Sequence, residues 1–261
     1  MTEPLLGDAG AIAARILAIL FPIVAIVAAG FAYGRRHNPE MSVANRLNMD
    51  VFVPALILGA MAGSGFEPTR YARLAAGAAL LLLCCGAAAW IAARVLRIDW
   101  RGYVPPMMFN NSANIGIPLA VLAWGEDALP AAVVLYSVSN VLHFSLGVRM
   151  LDDSARLATL WRHPTLLAAF IGLSVALLDL TVWPPLVNAL QLLGDVAVPL
   201  LLFALGVRMK QVRFRALSLP LLSAFLRPAL GLLLAWLLAG ALALGPRDSA
   251  MLMVFGALPP A

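Results

Sequence analysis

Residues 108–118 read Met-Phe-Asn-Asn-Ser-Ala-Asn-Ile-Gly-Ile-Pro and lie at the centre of a run, 102–125, that contains no charged residue. This run is long enough to cross a bilayer, because about 20 apolar residues span the hydrocarbon core as a helix. Gly116 weakens a helix, and Pro118 removes a backbone donor and clashes with the carbonyl four residues earlier. Hydrocarbon offers no partner for the freed backbone groups. The stretch therefore predicts a broken membrane helix, enclosed by protein or lining a cavity, which is where transporters bind substrates.

The composition places the whole chain in a membrane. Of its 261 residues, 62% are hydrophobic and 12% are charged, and the mean hydropathy is +0.92. Such values are typical of a polytopic membrane protein, with the lipid bilayer as its surroundings. We attribute the net charge of +5 to arginines of cytoplasmic loops and expect no nucleic-acid partner. The adjacent Cys84 and Cys85 have no metal or disulfide spacing, so we expect no metal and no cofactor.

The apolar runs predict an all-α protein with nine spans. A polar stretch, 151–163, reads as a cytoplasmic connector between a first part, 1–150, and a second part, 164–261. The predicted spans are 11–34, 44–63, 74–93, 102–125, 128–148, 164–180, 186–207, 217–244 and a ninth that starts near 249 and is cut off at 261.

The basic residues predict the orientation. Loops after spans 1, 3, 5 and 7 hold thirteen Lys and Arg residues, whereas loops after spans 2, 4, 6 and 8 hold three. The positive-inside rule then puts the first group of loops in the cytoplasm and the N-terminus outside a cell inner membrane. Glu3 and Asp8 precede the first apolar run, so its start does not read as a signal peptide.

An internal similarity suggests a repeat. Asp-Val-Phe-Val-Pro at 50–54 matches Asp-Val-Ala-Val-Pro at 195–199, with an offset of 145 residues, or five spans. An odd number of spans inverts the topology of the second copy, as in many transporters. At the same offset Asn114 corresponds to Pro259. The fold class is therefore predicted to be an inverted repeat of five transmembrane helices, with broken, crossing helices 4 and 9 and an incomplete second repeat.

Several segments resemble the auxin efflux carrier family. The most specific is 109–118; weaker matches are 30–36 (Gly-Phe-Ala-Tyr-Gly-Arg-Arg), 53–56, Pro199 with 205–207, Arg227-Pro228 and the proline at 259. The resemblance implies ten spans in two inverted repeats. It also implies a scaffold of spans 1, 2, 6 and 7, a moving domain of spans 3–5 and 8–10, and small organic anions such as carboxylates as substrates. This sequence departs from the family by ending inside span 9, so we expect a truncated chain, and transport by it is left open.

Substrate-binding candidates cluster around the predicted breaks. The spacing of the three asparagines brings them together on a helix, and amides both donate and accept hydrogen bonds. A half-helix N-terminus favours an anion. Helix–helix packing is the alternative role of such polar residues, and a structural ion pair is the alternative for the arginine. The candidates are Asn110, Asn111, Asn114, Gly116, Pro118, Pro259, Asn140 and Arg227.

Three further residues are candidates for ion or proton coupling. Asp50 and Asp195 lie near predicted membrane entry points, and intramembrane carboxylates often mark ion paths. His143 titrates near neutral pH and could carry protons. The alternatives are helix caps at the interface and an interhelical histidine.

These residues predict a secondary transporter or facilitated carrier, working in efflux, of small organic anions. The alternatives are a sodium- or proton-coupled carrier of bile-acid-symporter-like architecture and a non-transporting remnant. A membrane enzyme would need a nucleophile or metal set facing one cavity, and the sequence offers none, so we expect no enzyme. A homodimer held through the scaffold is a further expectation.

Overall fold

The computed structural model describes residues 9–63, 66–152, 163–210 and 218–260. Most of the predicted connector, 151–163, lies outside these residues, as does Ala261, where the ninth predicted span is cut off. Every regular element of the described residues is a helix. The α-helices are α1 (Ala9–His37), α2 (Ser42–Leu47), α3 (Val53–Ala62), α4 (Pro68–Leu96), α5 (Trp100–Met108), α6 (Ile117–Trp124), α7 (Leu129–Leu142), α8 (Val148–Leu151), α9 (Pro164–Leu177), α10 (Pro184–Gly194), α11 (Ala197–Met209), α12 (Ser218–Ala241) and α13 (Pro246–Ala257).

Six helical segments of the described residues are long and apolar enough to cross a membrane. They correspond to predicted spans 1, 2, 3, 5, 7 and 8, and their bounds are Gly10–His37, Ser42–Ala62, Pro68–Leu96, Glu126–Leu151, Pro184–Met209 and Ser223–Ala241. Shorter apolar helices cover Ser112–Trp124 and Pro164–Leu177, within predicted spans 4 and 6. Large apolar side chains such as Phe21 and Phe225 are about 70% exposed, as lipid-facing side chains are. The protein is thus an all-helical, multi-pass membrane protein.

Two prolines follow π-helical segments. Asn48–Phe52 joins α2 to α3, and Ser112–Gly116 leads into α6. Pro54 and Pro118 are the second residues of α3 and α6. A proline in a helix interior lacks a donor and clashes with the carbonyl four residues back. In a π turn each N–H pairs with the carbonyl five residues back, so the carbonyl that would clash with the proline is moved aside. The helices therefore continue past both prolines. A third π segment, His143–Gly147, joins α7 to α8.

Helices α1 and α11 pack backbone to backbone. A Cβ placed on Gly206 would overlap the Val27 carbonyl, and one placed on Gly30 would overlap the Phe203 carbonyl. Gly34 likewise faces Val207. Small residues allow this closeness, which compensates in a membrane for the missing hydrophobic effect between helices. We call this contact the α1–α11 seam.

Helix α3 packs against α9 and α10. A Cβ on Gly172 would lie 2.9 Å from the Met61 Cβ, and one on Gly194 would lie 2.7 Å from the Leu56 Cα. Asn48, which is buried, donates from Nδ2 to the Ala197 carbonyl at 3.2 Å. The regions around both Asp-Val-x-Val-Pro segments are therefore in direct contact.

Helix α4 lies at the centre of a second group of helices, which includes α5, α7, α12 and α13. Leu74, Ala78, Leu81 and Cys85 follow the helical period and are fully buried. This helix contacts α5, α7 and α12. Across from it, α12 contacts α13. These contacts hold α5 and α13 so that their C-terminal ends meet.

Candidate functional site

The helix α5 ends just before the asparagines. Phe109 is extended, with φ −93° and ψ 136°, and Asn111 has φ −80° and ψ 60° before the π segment begins at Ser112. Phe109 and Asn110 are buried. Three residues, 109–111, are thus non-helical between two apolar helical pieces.

The end of α13 lies directly against these residues. Leu258 is extended, and Asn110 forms an isolated antiparallel bridge with Pro260. The Asn111 N–H donates to the Pro259 carbonyl at 3.0 Å. Two non-helical stretches therefore satisfy each other's backbone groups, as any irregular backbone at membrane depth requires.

Asn110 bonds to the last turn of α13. Its Nδ2 donates to the Phe255 carbonyl at 2.6 Å. The last four carbonyls of a helix have no intrahelical donor, so an amide from outside satisfies one of them. The Asn110 Oδ1 is buried and has no hydrogen-bond partner among the described residues.

Arg227 forms the hydrogen bonds next to the one made by Asn110. Its side chain is fully buried in α12, and Nη1 donates to the carbonyls of Gly256 and Leu258, the latter at 3.1 Å. A cation at a helix C-terminus also opposes the partial negative charge there. Gly231, one turn later in α12, allows this approach, because a Cβ there would meet the Gly256 carbonyl and, at 2.8 Å, the Arg227 Nη1.

Asn111 and Asn114 form a pair. The Asn111 Oδ1 accepts from the Asn114 Nδ2 at 2.8 Å and from the Asn114 N–H at 3.3 Å. Asn111 thereby caps the π segment that follows it. Gly116 closes this segment, and a Cβ there would lie 2.9 Å from the Leu258 Cδ1. The structure thus brings Asn110, Asn111, Asn114, Gly116, Pro259 and Arg227 to one place, where the ends of α5 and α13 meet.

Pro118 and Asp195 share a crevice. Its volume is about 330 Å³, and α1, α3, α6, α10 and α11 contribute to its lining. Glu126 and Pro199 also line this crevice. Asp195 is exposed in the short break between α10 and α11. Predicted span 7 is therefore two helices, α10 and α11, separated by a two-residue turn at Asp195 and Val196.

His143 lies beside the asparagines, whereas Asp50 does not. The His143 ring packs edge-on against Phe109, with centroids 4.7 Å apart. Phe144 contacts both His143 and His163, with centroid distances of 5.4 Å and 3.9 Å. Asp50 is exposed in its π segment, and its charge acts on His163. Burial lowers the pKa of His163, and Asp50 partly offsets that effect.

Asn140 lies apart from these contacts. Its side chain is beside the Tyr136 phenol one turn earlier in α7. The Asn140 Nδ2 is buried without a partner of good hydrogen-bond geometry in the described chain. Across 9–63, 66–152, 163–210 and 218–260, no group of three or more His, Cys, Asp or Glu side chains is placed to hold a metal ion.

Asn48 and His163 form specific contacts that no motif in the sequence indicates. Asn48 is buried and bonds to Ala197, although its position two residues after Arg46 is typical of a membrane boundary. His163 stacks on Phe144 at the start of α9. The signal for Asn48 was its place two residues before the repeated Asp50 segment.

Comparison with known proteins gives a partial match. No family model matches the chain. The chain is similar to a protein of Rhizobium meliloti (strain 1021) named "Putative malonate transporter", with 29% identity over 114 residues. The match covers 38% of this chain and 35% of that relative, so it spans about a third of the relative's length. It links this helical membrane protein to one named as a transporter.

Proposed function

We propose that the protein is a secondary carrier of small organic anions, exporting them across the cell inner membrane. The observation that carries the proposal is the meeting of two non-helical stretches, at Asn110–Asn111 and Pro259–Pro260, between apolar helices. Carriers bind substrate at such helix breaks, where half-helix ends and freed backbone groups are available. The name of the partial relative supports the class of substrate.

Reciprocal contacts support an inverted repeat with an offset of 145 residues. Under this offset Val27 corresponds to Gly172, and Met61 corresponds to Gly206. A two-fold relation between repeats requires that a contact of Val27 with Gly206 be matched by one of Met61 with Gly172, and both contacts are present. The Asn110–Phe255 hydrogen bond joins residues 145 apart, as expected for a contact on the axis.

A second correspondence concerns the helices before each break. Gly86 of α4 faces Met108 at the end of α5, and Gly231 of α12 faces Gly256 at the end of α13. Gly86 and Gly231 are again 145 residues apart, whereas Met108 corresponds to Met253, one turn before Gly256. We therefore propose repeats at 1–150 and 164–261, with broken helices 4 and 9 that cross at Asn110 and Pro260.

The mechanism follows from these two groups of helices. Helices α1–α3 and α9–α11 form the scaffold, and α4–α7 with α12 and α13 carry the crossing. Movement of the second group past the first would expose the asparagines to each side in turn. Asn114 orients the anion, and the N-terminal end of the helical piece after the break favours its charge. This arrangement is the one that the resemblance to the auxin efflux carrier family implies.

Proton coupling is a second candidate. His143 packs against Phe109, beside the crossing, and His163 lies near Asp50, with the Phe144 ring in contact with both histidines. A phenyl ring carries no proton, so each histidine is a separate candidate for proton transfer. Histidines titrate near neutral pH and can relay protons. Sodium coupling and a homodimer stay predictions from the sequence.

Counterflow in proteoliposomes tests the carrier. Vesicles with the reconstituted protein are loaded with unlabelled malonate or another short carboxylate, and uptake of the labelled anion is followed. We expect exchange by the unaltered protein and a loss of at least tenfold in Asn114→Ala, since a bond to a charged ligand contributes about 1.5–3 kcal/mol. Asn188→Ala, at an exposed position of α10, is the matched control and should exchange normally. Full activity of folded Asn114→Ala would contradict the site, and no exchange by the unaltered protein would contradict the function.

A further inference from the structure

Arg227 is a buried cation with only part of its hydrogen-bonding capacity used. Its exposed fraction is 0%, and Nη1 donates to the carbonyls of Gly256 and Leu258. The other two nitrogens, Nε and Nη2, are buried without any hydrogen-bond partner in the described part of the chain. No carboxylate of those residues pairs with them.

A lone charge in this position is unfavourable. Removing a guanidinium from water has a large cost that only a well-placed partner of opposite charge offsets. The two carbonyl bonds and the C-terminal end of α13 contribute partial negative charge. They leave a full positive charge without a counter-ion among the described residues, in a protein that we propose to carry anions.

The unpaired nitrogens have a defined geometry. Nε–H and Nη2–H point from the same edge of the planar guanidinium, and together they match the two oxygens of one carboxylate. Nη1 donates to the carbonyls of Gly256 and Leu258, and these two bonds hold the guanidinium plane in place. A halide has one acceptor atom for the two donors, whereas a carboxylate offers one oxygen to each.

Arg227 also lies next to the asparagines. Its acceptor Leu258 precedes Pro259, whose carbonyl accepts from Asn111. Consecutive Cα atoms are about 3.8 Å apart, so the guanidinium and the asparagine pair act on adjacent residues of one short stretch.

We propose that the Nε–Nη2 edge of Arg227 is the carboxylate anchor of the transported anion, a specificity determinant that selects carboxylates. The inference rests on the proposed function. Binding then completes the hydrogen bonds of a buried cation, while Nη1 keeps the end of α13 in place. The substrate class is a small carboxylate, and the neutral amide of the same acid is excluded.

The main experiment measures KM and kcat for carboxylate exchange in Arg227→Lys and Arg227→Gln. Lysine keeps the charge but lacks the planar fork. We expect KM to rise at least tenfold in Arg227→Lys and further in Arg227→Gln, with a smaller change in kcat. Arg94→Lys, at an exposed arginine stacked on Trp90, is the matched control and should keep the original KM. An unchanged KM in Arg227→Lys would overturn the proposal.

A second measurement covers variants that fail to fold. The unaltered protein in detergent is melted with malonate and with malonamide. Stabilisation by the carboxylate alone supports the anchor, whereas equal stabilisation by both, or by neither, overturns it. If the unaltered protein is stabilised by malonate but exchanges no carboxylate, the anchor stands and the carrier function fails.

Discussion

Single residues at the crossing act mainly on the carbonyls of α13. Asn110 donates a hydrogen bond to the carbonyl of Phe255, and Arg227 donates to the carbonyls of Gly256 and Leu258. A helix that ends inside a membrane has no water for its last carbonyls, so these side chains replace it. Loss of either side chain therefore affects the shape of the site as well as its chemistry.

His163 gives a prediction for the dependence of stability on pH. Burial lowers the pKa of His163, and Asp50 partly offsets this. The unfolded chain titrates near pH 6.5, so from about that value down to the lowered folded pKa it binds more protons than the folded protein. We expect the melting temperature to fall by a few degrees from about pH 7 to about pH 5, and His163→Gln to remove part of the fall.

The matched control is His37→Gln, at an exposed position at the end of α1. Differential scanning fluorimetry in detergent at each pH measures both variants. An identical fall in the unaltered protein and in His163→Gln would contradict the prediction.

Residue types could be predicted from the sequence, but their partners could not. The three asparagines beside a Gly-x-Pro motif, and a lone arginine in an apolar run, are visible in the sequence. The bond from Asn110 to Phe255 joins residues 145 apart, and only the packing of α4 and α12 brings these together. Asn48 was missed for the same reason, because its acceptor is 149 residues away.

At the level of helices, glycines decide which surfaces touch. The α1–α11 seam places the backbone of Gly206 against Val27, whereas Gly172 faces the side chain of Met61. The added Cβ on Gly206 would overlap the Val27 carbonyl, which cannot move aside without displacing its helix, whereas the added Cβ on Gly172 would lie 2.9 Å from the Met61 Cβ, an overlap that a smaller shift of the helices relieves. The two contacts occupy corresponding positions in the proposed repeats, but they differ in how well they accommodate an added methyl group.

This difference predicts the effects of two substitutions. Gly206→Ala should destabilise the protein by about 1–3 kcal/mol, the usual cost of overpacking, and Gly172→Ala by less. Gly240→Ala, where nothing lies within 4 Å of the added Cβ, is the control and should be neutral or slightly stabilising. Unfolding in detergent measures all three, and equal losses for Gly206→Ala and Gly172→Ala would contradict the argument.

Hydropathy predicted the long helices but not their irregular parts. Six predicted spans correspond to helical segments long enough to cross the membrane, because each contains a sufficiently long stretch of high hydropathy. The division of span 7 at Asp195 and the π segments before Pro54 and Pro118 were not predicted. A π turn leaves apolar composition unchanged, so nothing in a hydropathy pattern reports it.

For the whole molecule, charge distribution gives an orientation that can be measured. Arg97 lies between α4 and α5, in a loop predicted to be cytoplasmic, and Glu126 lies between α6 and α7, in one predicted to be outside. Arg70 and Arg247, two of the three basic residues predicted outside, line one pocket with Glu126 and Asp127. Two of the loops predicted to lie outside therefore meet at one pocket with the loop of Glu126.

We expect a membrane-impermeant maleimide to label Glu126→Cys, but not Arg97→Cys, in intact cells. Arg97→Cys should react only after the membrane is made permeable. Neither native cysteine is exposed, so the unaltered protein serves as the unlabelled control. The reverse pattern of labelling would invert the orientation and the assigned direction of transport.

The π segments have a consequence for the faces of the helices that follow them. A π turn holds one residue more than an α turn, so every side chain beyond it is rotated by about 100° relative to those before it. Residues four apart across Asn48–Phe52 or Ser112–Gly116 therefore do not share a face. A single helical wheel therefore does not describe either span. The residues before the π segment and those after it need separate wheels, because the positions that face lipid differ between the two.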